Sequence, residues 1–286
     1  MRVDAHAHGM HAERDPVTGK RVPPVVPAWT EKDGAPDAHI RRHQELGVDH
    51  VLLLDPPEVT FPLKEIFGEF VSHCPQVRMH ESSREEILSL MERGASGIKF
   101  IGPLRPYGDE AYFPLYQAVR DCGGLAVFHT GYQNRNSYDP GGFLARPAYM
   151  RITDTRPAEL DRISRAFPDL KMLMAHMGNP WWEEAFCVLS QAPNIHADFS
   201  GGSAVRVDMG YWKQLFAPNG KPALGPLSKL CFGTDDSMCH PGNFTYQHMI
   251  QFYEDFYEAI GMPGELRQKT DRDNILKLLG KDGSVR

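Results

Sequence analysis

No stretch of this sequence reaches the about 18 consecutive apolar residues that a membrane-spanning helix needs, so no span is expected. A basic excess is also missing. Lys and Arg number 31 against 37 Asp and Glu, a formal net charge of −6, which argues against nucleic acid or an anionic membrane as a partner. No apolar h-region follows Met1, so no secretory leader is expected. Cysteine is scarce: Cys74, Cys122, Cys187, Cys231 and Cys239 are odd in number, scattered, and form no C-x-x-C pair. That speaks against a disulfide framework and fits a reducing cytoplasm. There is no internal repeat, no low-complexity segment, and no linker long enough to divide the chain into separate domains. What remains is a chain of 286 residues, 41% hydrophobic and 24% charged. This is ordinary globular composition, with enough chain to bury a core without staples. Because α/β barrels run to about 250 residues as one unit, residues 1–286 read as a single domain.

The pattern of elements supports that reading. Arg2 to Ala7 reads as a first strand, Val48 to Leu54 as a buried second, and Gln76 to Met79 as a short third. Gly97 to Ile101, Leu125 to His129, Leu170 to Ala175, Asn194 to Phe199 and Lys229 to Gly233 follow as strands four to eight. Helical segments are expected at Asp37–Leu46, Pro62–His73, Tyr112–Asp121, Pro157–Phe167, Trp181–Leu189, Tyr211–Phe216, Phe244–Ile260 and Asp271–Leu279. A further helix follows Ser82-Ser83-Arg84-Glu85-Glu86, which has the form of a capping box. Strands alternating with helices imply a parallel sheet, and eight such units imply an α/β fold of the (β/α)8 TIM-barrel type, slightly distorted. Long loops, rich in turn residues and charge, follow strand one (Gly9 to Pro36) and strand five (Thr130 to Thr155). Such loops are either functional or solvated insertions.

Chemistry-bearing residues gather at the strand ends. His6 and His8 stand two apart, and residues i and i+2 of a strand share a face. Two imidazoles so placed can converge on one ion, and imidazole is the commonest side-chain metal ligand. His129 closes strand five, His176 closes strand six, Asp235 follows strand eight, and Lys99 lies on strand four. Taken singly, each has a plainer explanation: a satisfied core histidine, a helix N-cap, a barrel lysine paired with an acid. Jointly they fall on the end of a barrel where active sites lie. Burying them unpartnered costs several kcal/mol, and a shared metal ion would satisfy them.

These segments resemble the amidohydrolase superfamily, in its amidohydrolase-related (amidohydrolase 2) branch of metal-dependent hydrolases, decarboxylases and hydratases. The resemblance rests on Asp4-Ala5-His6-Ala7-His8, Gly97-Ile98-Lys99, Val127-Phe128-His129-Thr130-Gly131, Phe167-Pro168-Asp169-Leu170-Lys171, Ala175-His176-Met177-Gly178, Phe232-Gly233-Thr234-Asp235, and Asp273-Asn274-Ile275-Leu276 with Leu279-Gly280. It covers nearly the whole chain and is specific for the superfamily, not for a reaction. The resemblance implies that His6, His8, His129 and Asp235 ligate one divalent metal, zinc before others. It implies that His176 is a catalytic histidine near the activated water or a further ligand. Lys99 matches the position where binuclear relatives carry a carboxylated lysine that bridges a second metal.

The expected enzyme activates water on a metal and attacks a lactone, ester or amide of a small cyclic or carboxylated substrate, with Asp235 accepting the water's proton. The alternative is a nonoxidative decarboxylase of an aromatic or unsaturated acid. A third reading, from another class, is a catalytically dead barrel that acts as a scaffold; every expected ligand position being filled weighs against it. Arg105, Arg135 and Arg146 lie on loops near the expected mouth, where a guanidinium grips a carboxylate bidentately, although each is equally a surface arginine. Tyr132, Tyr138, Trp181, Trp182 and His240 are candidates for lining an aromatic-tolerant pocket, with packing of a helix start as the commoner fate of the tryptophans. The expected partner is a small-molecule substrate, and a homo-oligomer such as a dimer is compatible with the sequence.

Overall fold

A computed structural model describes residues 1–9, 35–132, 151–239 and 244–281. Most of both long loops therefore lies outside the described residues, and with them Arg135, Tyr138, Arg146 and His240. The order begins with β1 (Arg2–His8), α1 (Pro36–Glu45), β2 (Val48–Leu53), α2 (Pro57–Phe67), β3 (Val71–His73), β4 (Gln76–Arg78) and α3 (Arg84–Glu92). It continues with β5 (Gly97–Ile101), α4 (Phe113–Asp121), β6 (Leu125–His129), α5 (Ala158–Ala166), β7 (Lys171–Ala175), α6 (Trp182–Gln191) and β8 (Ile195–Asp198). It ends with α7 (Met209–Phe216), α8 (Leu224–Leu227), β9 (Leu230–Cys231), β10 (Asp236–Ser237), α9 (Phe244–Ile260), α10 (Gly264–Gln268) and α11 (Asn274–Leu278).

All strand pairs are parallel. They form one sheet in the order β10-β1-β2-β3 and another in the order β4-β5-β6-β7-β8-β9. The two sheets are the halves of a TIM-type barrel whose ladder breaks at two seams. At the first seam Cys74-Pro75 splits the third strand, because Pro75 has no N–H to donate. Single backbone bonds carry the register across: Cys74 N donates to Leu53 O at 2.9 Å, Gln76 N to Asp55 O at 2.8 Å and Lys99 N to Pro75 O at 3.0 Å. At the second seam Ala5 N donates to Phe232 O at 2.9 Å, while Phe232 N turns outward to Thr270 O at 2.8 Å.

The eight expected strands are all present, several of them a residue or two different in extent, and the largest difference lies at the third. The segment read as a helix over Pro62–His73 is a helix that starts at Pro57 and ends at Phe67, and Val71–His73 already belongs to the third strand. Pro57 occupies the first helical turn, where its missing N–H costs nothing. Gly68, at φ 52, closes the helix. The capping box is formed: Ser83 Oγ accepts from Glu86 N at 3.2 Å. No helix among the described residues is long and apolar enough to cross a membrane, and all five cysteines are free.

Alternation along the strands sorts the core. Leu125 and Val127 of β6 and Leu173 of β7 pack with Val3, Leu52, Cys74 and Cys231 in an inner cluster closed by Ile275 and Leu278 of α11. Ala126, Phe128, Met172 and Met174 pack outward with the helices. Lys99 and His129 share the inward parity of their strands, which carries them into the barrel rather than onto its helical coat.

Three histidines of the first layer, His43, His50 and His73, are buried. His50 shares a hydrogen bond with Ser72 Oγ at 2.9 Å, and His73 packs edge-on against Phe61 with ring centroids 4.6 Å apart. Burial pushes each down from 6.5 to about 4. Between those values the unfolded chain holds protons that the folded chain refuses, so their contribution is fully present above 6.5 and is lost as pH falls towards 4. The urea midpoint is therefore expected to fall steeply from pH 7 to pH 4.5, less steeply in His50→Gln. A flat profile over that range would contradict this account.

Candidate metal centre

β1 delivers His6 and His8 to the C-terminal end of the barrel. β5 delivers Lys99, β6 His129, β7 His176 and β8 Asp198, while the turn between β9 and β10 delivers Asp235. The structure brings all of the predicted central residues together. His6 Nε2 and His8 Nε2 face the same oxygen, Asp235 Oδ1, at 3.1 and 3.0 Å. Lys99 Nζ lies 3.3 Å from His6 Nε2. His176 Nε2 and His129 Nδ1 face each other at 3.1 Å, and the His6 and His176 rings tilt together with centroids 4.7 Å apart.

His6, His8 and Asp235 each offer one ligand atom, and all three atoms lie within 4.8 Å of one another. A group of His6, His176 and Asp198 also meets that criterion. Its Asp198, however, is already spent as an acceptor from His176 N at 2.9 Å and Ser200 N at 2.9 Å. Two imidazole nitrogens and a carboxylate oxygen turned on one point are the donor set that a divalent cation such as zinc takes, so the residues present fit such an ion. His6 is buried, whereas the side chains of His8 and Asp235 are 25% and 30% exposed. The cluster is thus open on one side, as a catalytic site must be and a structural one need not.

The electrostatics follow from burial and charge. Burial works against charging His8, but the Asp55 and Asp235 carboxylates on either side outweigh it and push the ring up to about 10. His176 is pushed down to about 4 by burial, only partly offset by Asp235. Burial would raise Asp198, but His6, His176 and the Ser200 hydroxyl hold it down at about 2. Burial would likewise raise Asp235, yet His176, His6 and His8 keep it well below the carboxylate range. Asp4 is the exception: burial lifts it to about 7 against its hydrogen bonds from Thr234 and His6.

Backbone strain marks the same place. His176 and Asp235 adopt φ 66 and φ 61, a left-handed conformation that costs a non-glycine residue about 1–3 kcal/mol and clusters at functional sites. The turn that holds Asp235 is tied to β1, because Asp4 accepts from Thr234 N at 3.0 Å, Thr234 Oγ1 at 2.7 Å and His6 N at 3.0 Å. Gly201, at φ 93, lets the next loop lie against the site. A Cβ there would stand 2.9 Å from His176 Nδ1 and 3.3 Å from Asp235 Oδ2.

Two expected contact residues are engaged elsewhere. Arg105 pairs within its own loop with Asp109 at 3.6 Å, and its side chain is 64% exposed. Trp181 sits at the start of α6 beneath the Arg156 guanidinium, 5.2 Å from its ring centre. Asp55, Asp198 and Ser200 touch the candidate ligands and were not singled out from the sequence. The available signal was an acid at the end of an apolar strand run, in Leu-Leu-Leu-Asp55 and in Ile195-His-Ala-Asp198.

A parallel α/β barrel with such a cluster at the carboxyl ends of its strands carries the active-site face of a barrel enzyme. The chain belongs to the amidohydrolase family, whose sequence profile matches residues 3–281. Enzymes of this family are metal-dependent. Solved structures of similar fold include a 2,6-dihydroxybenzoate decarboxylase from Rhizobium, with 15% identity, a TM-score of 0.60 and coverage of 99% of both chains. A probable 2-pyrone-4,6-dicarboxylic acid hydrolase from Acinetobacter baumannii has 13% identity and a TM-score of 0.59, over 98% of this chain and 99% of that one. A 5-carboxyvanillate decarboxylase from Sphingomonas paucimobilis has 12% identity and a TM-score of 0.59, over 98% of each chain. No curated protein matches the sequence.

Proposed function

We propose that this chain is a hydrolase that uses a single divalent ion, zinc before others, to open a lactone, ester or amide in a small cyclic or carboxylated substrate. The observation that supports this most is the convergence of His6 Nε2, His8 Nε2 and Asp235 Oδ1 on the open side of the barrel. His129 and His176 would complete the ring of ligands or flank it. When bound, the ion supplies Lewis acidity, bringing the pKa of water to about 7 and polarising a carbonyl.

The protein's own groups do the rest. Asp235 takes the proton of the attacking water, and its two imidazole contacts hold it in place to do so. His176 is kept uncharged at neutral pH by burial; its Nε2 orients the water and its proton-accepting lone pair. Lys99 supplies a buried amine beside His6, a hydrogen-bond donor that suits the oxygen that gains charge as a carbonyl is attacked.

Lys99 also supports a second reading. A buried lysine amine 3.3 Å from a candidate ligand would equally donate to a substrate carboxylate, and structures of similar fold include decarboxylases acting on aromatic acids. A panel of lactones and hydroxylated aromatic acids, assayed with zinc-loaded protein for acid release and for carbon dioxide, separates the two. Turnover of lactones with acid release is the expected result. Carbon dioxide from an aromatic acid without lactone turnover would move the assignment to the lyase.

A further inference from the structure

His6 and His8 present Nε2 to Asp235, and each is gripped from behind by a carboxylate. His6 Nδ1 lies 3.2 Å from Asp198 Oδ2, and both side chains are buried. His8 Nδ1 lies 3.0 Å from Asp55 Oδ1. What sets these acids apart from ordinary hydrogen-bond partners is how they are themselves held. The other oxygen of Asp198, Oδ1, accepts from His176 N at 2.9 Å, from Ser200 N at 2.9 Å and from the Ser200 hydroxyl. The other oxygen of Asp55, Oδ2, accepts from Gly9 N. Backbone N–H groups cannot reverse their polarity, so each carboxylate is fixed in orientation by one oxygen and offers the second, acceptor-only, to an imidazole.

We propose that Asp198 and Asp55 are positioning residues: when a dication displaces any proton at Nε2, they keep the one remaining proton of His6 and of His8 on Nδ1, so that each Nε2 lone pair is directed at the centre. This inference rests on the metal-site reading above and deepens it. An imidazole ligates only through an unprotonated nitrogen, and the hydrogen bond at its other nitrogen decides which one that is. Ser200 reinforces the arrangement at Asp198. Its hydroxyl donates to Asp198 Oδ1 and lies 2.9 Å from His6 Nδ1 and 3.0 Å from His176 Nδ1, so its lone pairs accept from both rings. His176 Nδ1 is also held at 3.0 Å by Ser200 O, an acceptor without a proton.

The same geometry dictates what an isosteric amide would do. In Asp198→Asn the carbonyl oxygen must stay on the side of the two backbone N–H groups. The NH2 group then faces His6 Nδ1 as a donor and drives the ring proton to Nε2, where it blocks ligation. In Asp55→Asn the bond from Gly9 N fixes the amide in the same way, with its NH2 towards His8. Alanine at either position removes the acceptor but imposes no wrong donor. A merely structural role predicts the opposite order, with asparagine near wild type and alanine worse.

The test is zinc affinity, measured by competition with a chromophoric chelator, for wild type, Asp198→Asn, Asp198→Ala, Asp55→Asn and Asp55→Ala, with circular dichroism as the check on folding. Loss of about 10- to 100-fold in the asparagine variants, exceeding the loss in the matching alanine variants, is the expected result. Asparagine within threefold of wild type, or alanine worse than asparagine at Asp55, would overturn it. Should the Asp198 variants not fold, the Asp55 pair decides alone. Nitrogen-15 NMR of histidine-labelled, metal-free Asp235→Ala at pH 8, in which His6 Nε2 no longer faces a carboxylate, gives a readout independent of zinc. His6 carrying its proton on Nδ1 is expected, and a proton on Nε2 would overturn the proposal. The expected result there, together with a wild type that binds no zinc, would remove the metal-hydrolase reading and leave the tautomer assignment standing.

Discussion

Asp235→Asn is expected to lose its bound divalent ion and about a thousandfold or more of turnover, with far-UV circular dichroism unchanged. The reason is the position of one oxygen. Asp235 Oδ1 is the atom on which His6 Nε2 and His8 Nε2 both close, at 3.1 and 3.0 Å, and it is the only anionic member of that trio. An amide removes the charge that balances a dication and turns at best a weak carbonyl donor towards it. Lewis-acid activation is worth several kcal/mol; about 4 kcal/mol corresponds to a thousandfold. The fold is spared because the side chain is 30% exposed and packs against no core cluster. His6→Ala is expected to give the same loss from the buried side. Metal content by elemental analysis, alongside turnover, checks both variants, and retained turnover in both would remove the proposed site.

The second large effect is expected from a residue with no side chain. Gly131→Ala should destabilise the protein by about 2–5 kcal/mol and weaken zinc binding at the same time. Gly131 follows His129 by two residues and sits at φ 84, and a Cβ there would lie 1.9 Å from Asn179 O. The left-handed conformation alone costs alanine about 1–2 kcal/mol, and overpacking adds about 1–3. Neither neighbour can yield cheaply, because this is where two loops are joined. Tyr132 N donates to Asn179 O at 2.6 Å, Gly131 N to Thr155 O at 3.0 Å and Gly178 N to Thr130 Oγ1 at 3.1 Å. Those loops carry His129 and His176, whose inward nitrogens lie 3.1 Å apart. Wedging them apart separates the pair. Urea unfolding and zinc titration of the one variant check both halves, and a wild-type midpoint would show that the loops are looser than described.

Much of the architecture was legible in the residues. Leu125 to Phe128 is apolar and then stops at His129, and Leu170 to Ala175 stops at His176. A strand that ends in a ligand-type residue names both its direction and its end of the barrel. The parity of His6 and His8 was readable for the same reason, since period two is local. Which carboxylate stands behind which imidazole was not legible. Asp198 is 192 positions from His6 and Asp55 is 47 from His8, and no spacing rule links an acid to an imidazole that meets it only when the barrel closes. The extent of α2 is hard to read because a Pro-Pro pair stands at its start, although proline in a first turn is a good starter. Arg105 shows the opposite failure. An arginine after a barrel strand reads as a substrate clamp, and only coordinates show Asp109 beside it.

The candidate ligands do not all belong to one half of the barrel. His6 and His8 stand on the four-stranded sheet, Lys99, His129 and His176 come from the six-stranded one, and Asp235 hangs from the turn that bridges the break between β9 and β10. A dication gripped there would act as a rivet across an incomplete joint, so that the atom serving chemistry would also clamp the wall of the vessel. At a hundred times its dissociation constant it would add about 2.7 kcal/mol to the folded state, and chelation would loosen the cylinder first along that line.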